Sequence, residues 1–175
     1  MSATMGIDPS LNSTAYSILL DGEHNETITI QPKKLYGIDR LMYIEEQLNI
    51  VCDKVGEIDL LCLEGYAFCR PNQAHQIGEL GGIIRRLLWL RDISWIEIAP
   101  PTLKKFATGK GSAKKEQVMA HVYKRWGIMF DNSDKADAFV LAKIAEHVFT
   151  GSDEGLTQIQ IDALVKPREA YRGVE

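Results

Sequence analysis

The chain has 175 residues, 45% of them hydrophobic, and a formal net charge of −4. That length and composition predict a single globular domain with enough apolar residues for a core. No stretch reaches the roughly 18 apolar residues of a membrane span, and no charged N-terminal segment precedes a long apolar run, so we expect a soluble intracellular protein with no membrane partner. The negative charge argues weakly against nucleic-acid binding, although its distribution matters more than its sum.

Three strands are predicted at the start of the chain, at residues 4–8, 15–20 and 26–30. The dipeptide Asp21-Gly22 between the second and third strands is a strong hairpin signal. Thr and Ile alternate within residues 27–30, as in an antiparallel strand with one solvated face. The first three strands are therefore predicted to form a meander.

Helices and strands alternate after the meander. Apolar residues at helical spacing predict a helix over residues 37–55, and the nearly continuous apolar run of residues 58–63 predicts a strand buried on both faces. A second helix is predicted over residues 71–91 and a fifth strand over residues 95–98. A basic segment and two further helices follow that strand.

No linker, repeat or low-complexity tract divides the chain. Residues 151–175 lose the apolar periodicity and contain Gly, Pro and mixed charge. We expect them to form a peripheral C-terminal tail, beside a domain formed by residues 1–150.

The predicted helix over residues 71–91 has a wide apolar stripe together with Gly78, Gly81 and Gly82. The small residues permit close approach of another element. Tight packing on the sheet is one interpretation, and a two-fold contact between two copies of the chain is the other. We favour the homodimer.

Four carboxylates stand where a predicted strand or helix meets a polar break. Asp8 ends the first strand, because Pro9 lacks the N–H that would continue the ladder. Glu64 follows the apolar strand directly. Asp134 and Asp137 are three residues apart at the start of a helical pattern, so both project from one face of that helix. Hard oxygen ligands of this kind favour Mg²⁺ or Mn²⁺.

Each carboxylate also has a structural interpretation. Asp8 could cap a turn, and Asp134 and Asp137 could be ordinary acids in the first turn of a helix, where Asp is common. Taken singly, these three are better explained in that way. Glu64 is not, because an unpaired glutamate at the end of so apolar a strand would cost several kcal/mol. The four together predict a metal site.

The segment 101–125 reverses the charge of the chain, with seven basic residues and one acid, Glu116. For the lysines in the predicted loop this pattern favours DNA as the ligand. For Lys124 and Arg125 a solvated helix face is an equally good interpretation. The stretch from Thr108 to Ser112 is predicted to be a flexible basic loop leading to a helix that Ser112 caps.

Four strings of the sequence resemble the RuvC family of Holliday junction resolvases, including its phage and organellar relatives. They are GIDPSLNSTAYSIL, LEGYAF, PPTLKKFATGKGSAKKEQV and DKADAFVLA, and the match spans residues 5–148. The specific part is PxxxK followed by GxGSAxK and then DxxDA, in this order and spacing. The resemblance implies an α/β, RNase H-like fold with a five-stranded mixed sheet and helices on both faces.

The resemblance also implies roles for individual residues. It places the family's metal-binding carboxylates at Asp8, Glu64, Asp134 and Asp137. Its two active-site lysines fall at Lys104 and Lys115, of which Lys115 is implied to be catalytic and Lys104 to bind DNA. The further candidates for DNA binding are the neighbouring lysines and two aromatic residues, Lys105, Lys110, Lys114, Tyr66 and Phe68. The family has an aromatic wedge three residues after the strand-four glutamate, where this chain has Ala67 between Tyr66 and Phe68. Burial in the core is an equally good interpretation of either ring.

The implied function is that of a homodimeric endonuclease that cuts four-way DNA junctions symmetrically and leaves 5′-phosphates. Two Mg²⁺ ions per active site are implied, with Mn²⁺ as the alternative. The implied location is the cytoplasm of a bacterial or phage-infected cell, and an organellar relative stays open. Two other functions also stay open: a nuclease of the same fold that cuts forks, flaps or RNA-containing duplexes, and a junction-binding protein without turnover. The presence of all four carboxylates argues against the latter.

Overall fold

In the computed structural model, which describes residues 1–65 and 74–172, five strands form one sheet. The strands are β1 (Ala3–Asp8), β2 (Thr14–Leu20), β3 (Glu23–Ile30), β4 (Leu60–Glu64) and β5 (Trp95–Ile98). Their order across the sheet is β3-β2-β1-β4-β5. β1, β2 and β3 pair antiparallel, whereas β4 is parallel to both β1 and β5. The predicted meander and the mixed five-stranded sheet are confirmed.

The turn between β2 and β3 is the two-residue hairpin that the sequence predicts. Asp21 and Gly22 both have positive φ angles, 49° and 79°. A tight hairpin of this kind needs positive φ at both central residues, and Asp-Gly is one of the few pairs that adopt it at low cost.

Helices cover both faces of the sheet. They are α1 (Gly37–Val55), α2 (Ala74–Leu90), α3 (Pro100–Thr108), α4 (Lys115–Trp126), α5 (Ser133–Thr150) and α6 (Gln158–Arg172). Leu61 and Leu63 of β4 face a core shared with α1 and α2, while Leu60 and Cys62 face the core shared with the other four helices. The alternation explains why β4 is apolar on both faces. Across residues 1–65 and 74–172, no helix combines the length and apolar character that a transmembrane helix requires.

The segment after β5 differs from the prediction. It contains α3, which begins with Pro100 and Pro101 in its first turn, so Lys104 and Lys105 lie on a helix and not in a loop. The next helix, α4, has Lys114 at its N-cap, two residues after the predicted cap Ser112. The Gln117 side chain accepts a hydrogen bond of 2.8 Å from the Lys114 backbone N–H and so takes the capping role.

The prediction of an aperiodic C-terminal segment is wrong for residues 158–172, which form α6. Ala163 and Leu164 of this helix are buried against α3 and α5. Gln160 is only 3% exposed, and its side-chain amide donates a 2.8 Å hydrogen bond to the Phe106 carbonyl. Its carbonyl oxygen accepts hydrogen bonds from Arg125 and from the Thr157 backbone N–H. The buried face of α6 is thus partly polar, which conceals its periodicity.

Gly6, in the middle of β1, lies directly against α5. A Cβ atom at this position would overlap the Ala138 carbonyl oxygen and the Ala142 backbone nitrogen. The strand and the helix therefore meet backbone to backbone, a separation that only glycine permits.

Candidate active site

Asp8 and Glu64 lie side by side at the carboxyl ends of β1 and β4. The two strands are parallel, and Ile7 pairs with Leu63, so the residues that follow them come out at the same edge of the sheet. Asp8 is 7% exposed. Pro9 then ends the strand, as the sequence predicts.

Asp134 and Asp137 reach the same edge from the start of α5. The helix is capped by Asn132, whose side chain accepts a 2.9 Å hydrogen bond from the Lys135 backbone N–H. Asp134 is in the first turn and Asp137 in the next, on one face. Asp137 is only 6% exposed because α5 packs closely on β1 and β2.

These four carboxylates line one cleft of about 370 Å³. Lys104 from α3 and Lys115 from α4 also line it. The structure therefore brings together six of the residues that the sequence singled out. The other lining residues come from the loop after β1 and from α1, α2 and α3: Pro9, Ser10, Leu11, Asn12, Arg40, Gln76, Ile77 and Pro100.

Burial and mutual repulsion raise the pKa values of three acids of the cleft, Asp8, Glu64 and Asp137. Burial, followed by the charge of Glu64, raises the pKa of Asp8 well above its usual range, and Asp137 and Asp134 add to the effect. Burial likewise raises the pKa of Glu64, although its hydrogen bond with Asp8 acts the other way. Simultaneous ionisation of Asp8 and Glu64 is therefore unfavourable when no cation lies between them.

Asp137 shows the same effect, and burial with the charge of Glu64 raises its pKa to about 7. Lys115 differs because its Nζ donates a 3.2 Å hydrogen bond to Asp134 Oδ1. Burial tends to lower the pKa of Lys115, but Asp134, Asp137 and Asp8 outweigh it and the pKa is raised. This lysine stays charged at neutral pH.

A group of buried, mutually repelling carboxylates is the donor set that a hard divalent cation stabilises. In the positions that the structure gives them, however, no three His, Cys, Asp or Glu side chains of residues 1–65 and 74–172 are grouped closely enough to hold one metal ion. Asp134 is turned toward Lys115 and Ser133. The chemistry of the cleft fits a divalent cation.

Three of the remaining predicted DNA contacts lie in the described part of the chain, and none of these three lines the cleft. They are Lys105, Lys110 and Lys114. Lys110 and Lys114 are exposed, and in the chain they lie between Lys104 and Lys115, which do line the cleft. Tyr66, Phe68 and the wedge position Ala67 lie outside the described residues.

Sequence reasoning missed Ser133 and Arg40. Ser133 Oγ accepts a 3.3 Å hydrogen bond from Lys115 Nζ and donates to Asp134. Its position next to Asp134 at a helix start is too common a pattern to be a signal. Arg40 lies in the first turn of α1, where a basic residue opposes the helix dipole, and that mismatch is a usable signal.

The family model for the crossover junction endodeoxyribonuclease RuvC matches residues 4–145. A crossover junction endodeoxyribonuclease RuvC from Chlamydia muridarum is 40% identical over 157 residues, covering 82% of this chain and 91% of the relative. The relative of the same name from Chlamydia trachomatis serovar L2 is 37% identical over the same coverage.

Solved structures share the fold. The structure of T. thermophilus RuvC in complex with Holliday junction substrate has a TM-score of 0.72 and 19% identity, and the match covers 86% of this chain and 95% of that one. The yeast mitochondrial Holliday junction resolvase Ydc2 has a TM-score of 0.57 and 14% identity over 98% of this chain and 84% of that one. At these identities the structures support the RNase H-like fold. With the family model and the curated relatives, they show that the chain belongs to the RuvC family of crossover junction endodeoxyribonucleases.

Proposed function

We propose that this protein is a structure-specific DNA endonuclease that resolves four-way (Holliday) junctions. The observation that carries the proposal is the cleft that gathers Asp8, Glu64, Asp134 and Asp137 with two lysines, in a chain of the RuvC family. The names of the relatives describe a crossover junction endonuclease, and the structure with TM-score 0.72 holds a Holliday junction substrate.

The carboxylates would bind divalent metal, with Mg²⁺ as the proposed ion at two positions and Mn²⁺ as the alternative. When bound, the metal supplies an activated water and stabilises the charge on the leaving oxygen. The metal would be held by Asp8, Glu64, Asp134 and Asp137, which line the cleft. Because burial raises the pKa values of Asp8 and Asp137, metal binding to these two acids would favour loss of their protons.

Lys104 and Lys115 are proposed to act on the phosphate. Lys115 is held at the cleft by Ser133 and Asp134, and its ammonium is positioned to stabilise the extra negative charge of the phosphate in the transition state. Lys104 lies on α3, and its charge acts on Glu64 and Asp137. The exposed Lys110 and Lys114 would extend the basic surface along the DNA.

Symmetric cutting requires two active sites, so we propose a homodimer formed through α2. Trp89 and Leu90 of this helix are 71% and 55% exposed. Gly82 lies one heptad before Trp89 on the same face, and a Cβ there would meet no described atom within 4 Å apart from the surrounding helix backbone. The small size of Gly82 is therefore not needed for packing within the chain, which favours contact with a second copy.

The test is cleavage of a synthetic four-way junction beside linear duplex, fork and flap, with Mg²⁺ and with chelator, while the cut positions are mapped. Paired symmetric cuts on the junction alone are expected. Equal cutting of every branched substrate would instead identify a general branched-DNA nuclease. Junction binding without metal-dependent cuts would identify a binding protein.

Asp8→Asn is the matched variant for the metal assignment. The amide keeps the shape but cannot supply an anionic ligand, so cleavage is expected to fall by at least roughly 1,000-fold while junction binding is retained. Asp162→Asn makes the same chemical change at an exposed position on α6 and is expected to cut normally. Unchanged cleavage by Asp8→Asn would reject the metal assignment.

A further inference from the structure

Arg40 lines the same cleft as Asp8 and Glu64, but the proposed mechanism gives it no role. Its Nη1 donates one long hydrogen bond, 3.4 Å, to Asn12 Oδ1. Its Nε is buried and has no hydrogen-bond partner among the residues that the structure describes. A buried guanidinium nitrogen without an acceptor is costly, because arginine is always charged.

The other arginines of the same layer differ. Arg85, Arg86 and Arg91 each form an ion pair with a carboxylate, at 2.7, 3.1 and 2.7 Å respectively. Within residues 1–65 and 74–172, no carboxylate forms an ion pair with Arg40. The guanidinium at the cleft thus keeps most of its donors for a ligand.

Helix stability does not explain the position of Arg40. The residue lies in the first turn of α1, where a positive charge opposes the helix dipole, although Asp39 beside it supplies one acid. The Tyr36 side chain at the N-cap makes no capping hydrogen bond. A bound anion near this end of α1 would add to the favourable effect of Asp39.

The layers of the fold place Arg40 across the cleft from the two lysines. α1 packs with α2 on one face of the sheet, whereas α3 and α4 pack on the other. Lys104 and Lys115 therefore approach the carboxylates from one layer and Arg40 approaches from the opposite one. A phosphodiester chain that crosses the strand ends between the layers would meet positive charge on both sides of the acids.

We propose that Arg40 binds a phosphate of the cut strand beside the scissile phosphodiester, on the side opposite Lys104 and Lys115. The planar guanidinium can donate two parallel hydrogen bonds to one phosphate. The inference rests on the proposed function, since it takes DNA as the ligand. Arg40 is a positioning residue and contacts DNA away from the bond that breaks.

The alternative role is structural, in which Arg40 holds the loop after β1 through Asn12. The salt dependence of DNA binding separates the two roles, because only a phosphate contact releases counterions. The measurement is the affinity for a synthetic four-way junction, in chelator to prevent cutting, at several salt concentrations. The proteins are the wild type, Arg40→Gln, Arg40→Lys and the control Lys54→Gln.

Arg40→Gln is expected to make the negative slope of log K against log salt shallower by roughly 0.9. It is also expected to weaken junction binding roughly eightfold at about 0.1 M salt. Arg40→Lys keeps the charge and is expected to keep the wild-type slope. Lys54, at the other end of α1, is paired with Glu26 at 3.0 Å, so its loss is expected to leave the slope unchanged.

A folded Arg40→Gln protein with the wild-type slope would overturn the inference and leave the proposed function intact. If circular dichroism shows that the glutamine variant does not fold, Arg40→Met, which keeps the aliphatic stem, is measured in its place. A wild-type protein that does not prefer the junction to linear duplex would reject the proposed function, and the inference with it.

Discussion

Lys115 Nζ lies 3.2 Å from Asp134 Oδ1, and this ion pair joins the first residue of α4 to the first turn of α5. The Lys115 side chain is 56% exposed, so solvent screens the pair and its contribution to stability is small. The importance of the contact lies in position, since it holds an ammonium at the mouth of the carboxylate cleft.

Replacing Lys115 by Met should therefore affect cleavage far more than folding. Losing a donor that stabilises transition-state charge is expected to lower the single-turnover cleavage rate by roughly 100-fold or more. Junction affinity is expected to fall less than roughly tenfold. Lys124→Met, near the other end of α4, serves as the control and is expected to cut at the wild-type rate. Equal rates for the two variants would contradict the assignment of Lys115.

The stability of the metal-free protein should fall as pH rises through the acidic range. The folded-state pKa of Asp137 is raised from 3.8 to about 7 by burial and by Glu64. Between those values the folded state binds the proton more tightly than the unfolded state, so the unfolding free energy decreases as pH rises across this window. For Asp137 the decrease is on the order of a few kcal/mol.

Urea unfolding in chelator at about pH 5 and about pH 7.5 measures this decrease. Asp137→Asn should make it smaller, and Asp162→Asn should not change it. Addition of Mg²⁺ should restore stability at the higher pH, because cation binding favours the ionised acids. An identical decrease in the Asp137→Asn protein would show that this carboxyl does not carry the effect.

The proposed homodimer predicts that a charge at Gly82 separates the subunits. A glutamate there fits among the described residues, since outside the surrounding helix backbone none of their atoms lies within 4 Å of the Cβ position, but it would place an unpaired charge in the contact. Sedimentation velocity should show a dimer for the wild type and a monomer for Gly82→Glu. Val165→Glu, at a 50% exposed position on α6, should remain dimeric. If Gly82→Glu is still a dimer at the protein concentration at which the wild type is a dimer, the interface does not include this face of α2.

Gln160 should be important for stability although it does not line the cleft. Replacement by Ala leaves the Phe106 carbonyl and the Thr157 backbone N–H without their partner. The expected cost is about 2 kcal/mol, which corresponds to a fall in Tm of roughly 6 °C for a chain of this size. The exposed Gln158 on the same helix bonds only to Asp162 at 2.9 Å, and Gln158→Ala should melt close to the wild type. Scanning calorimetry of the wild type and the two variants measures these melting temperatures, and equal Tm values for Gln160→Ala and Gln158→Ala would contradict the prediction.

The sequence predicts much of the sheet because each strand has a local signal. The Asp21-Gly22 turn, the apolar run of β4 and Pro9 after Asp8 each specify structure without reference to distant residues. For the same reason the carboxylates could be placed at strand and helix ends. The convergence of Asp8 and Glu64 follows from the parallel pairing of β1 with β4, which the structure shows.

The missed elements have physical explanations. In α6 the buried face includes Gln160 and Pro167, so its apolar pattern is weak until the partners from α3 are known. In α3 the two prolines are a helix-start signal, yet the lysines beside them led to the prediction of a loop. Arg40 could be assigned to the cleft only once the layer of α1 was known.

The backbone contact of Gly6 with Ala138 has a consequence for catalysis. Asp8 is two residues beyond Gly6 on β1, and Asp137 directly precedes Ala138 on α5, so the main chain itself fixes how far apart these two acids stand. Asp134, one turn earlier on α5, is instead hydrogen-bonded to the side chain of Lys115 on another helix. The cleft therefore combines a pair of acids whose separation the main chain sets with an acid that can exchange its lysine for another partner, and adaptation to a cation or to a distorted phosphate would come from Asp134.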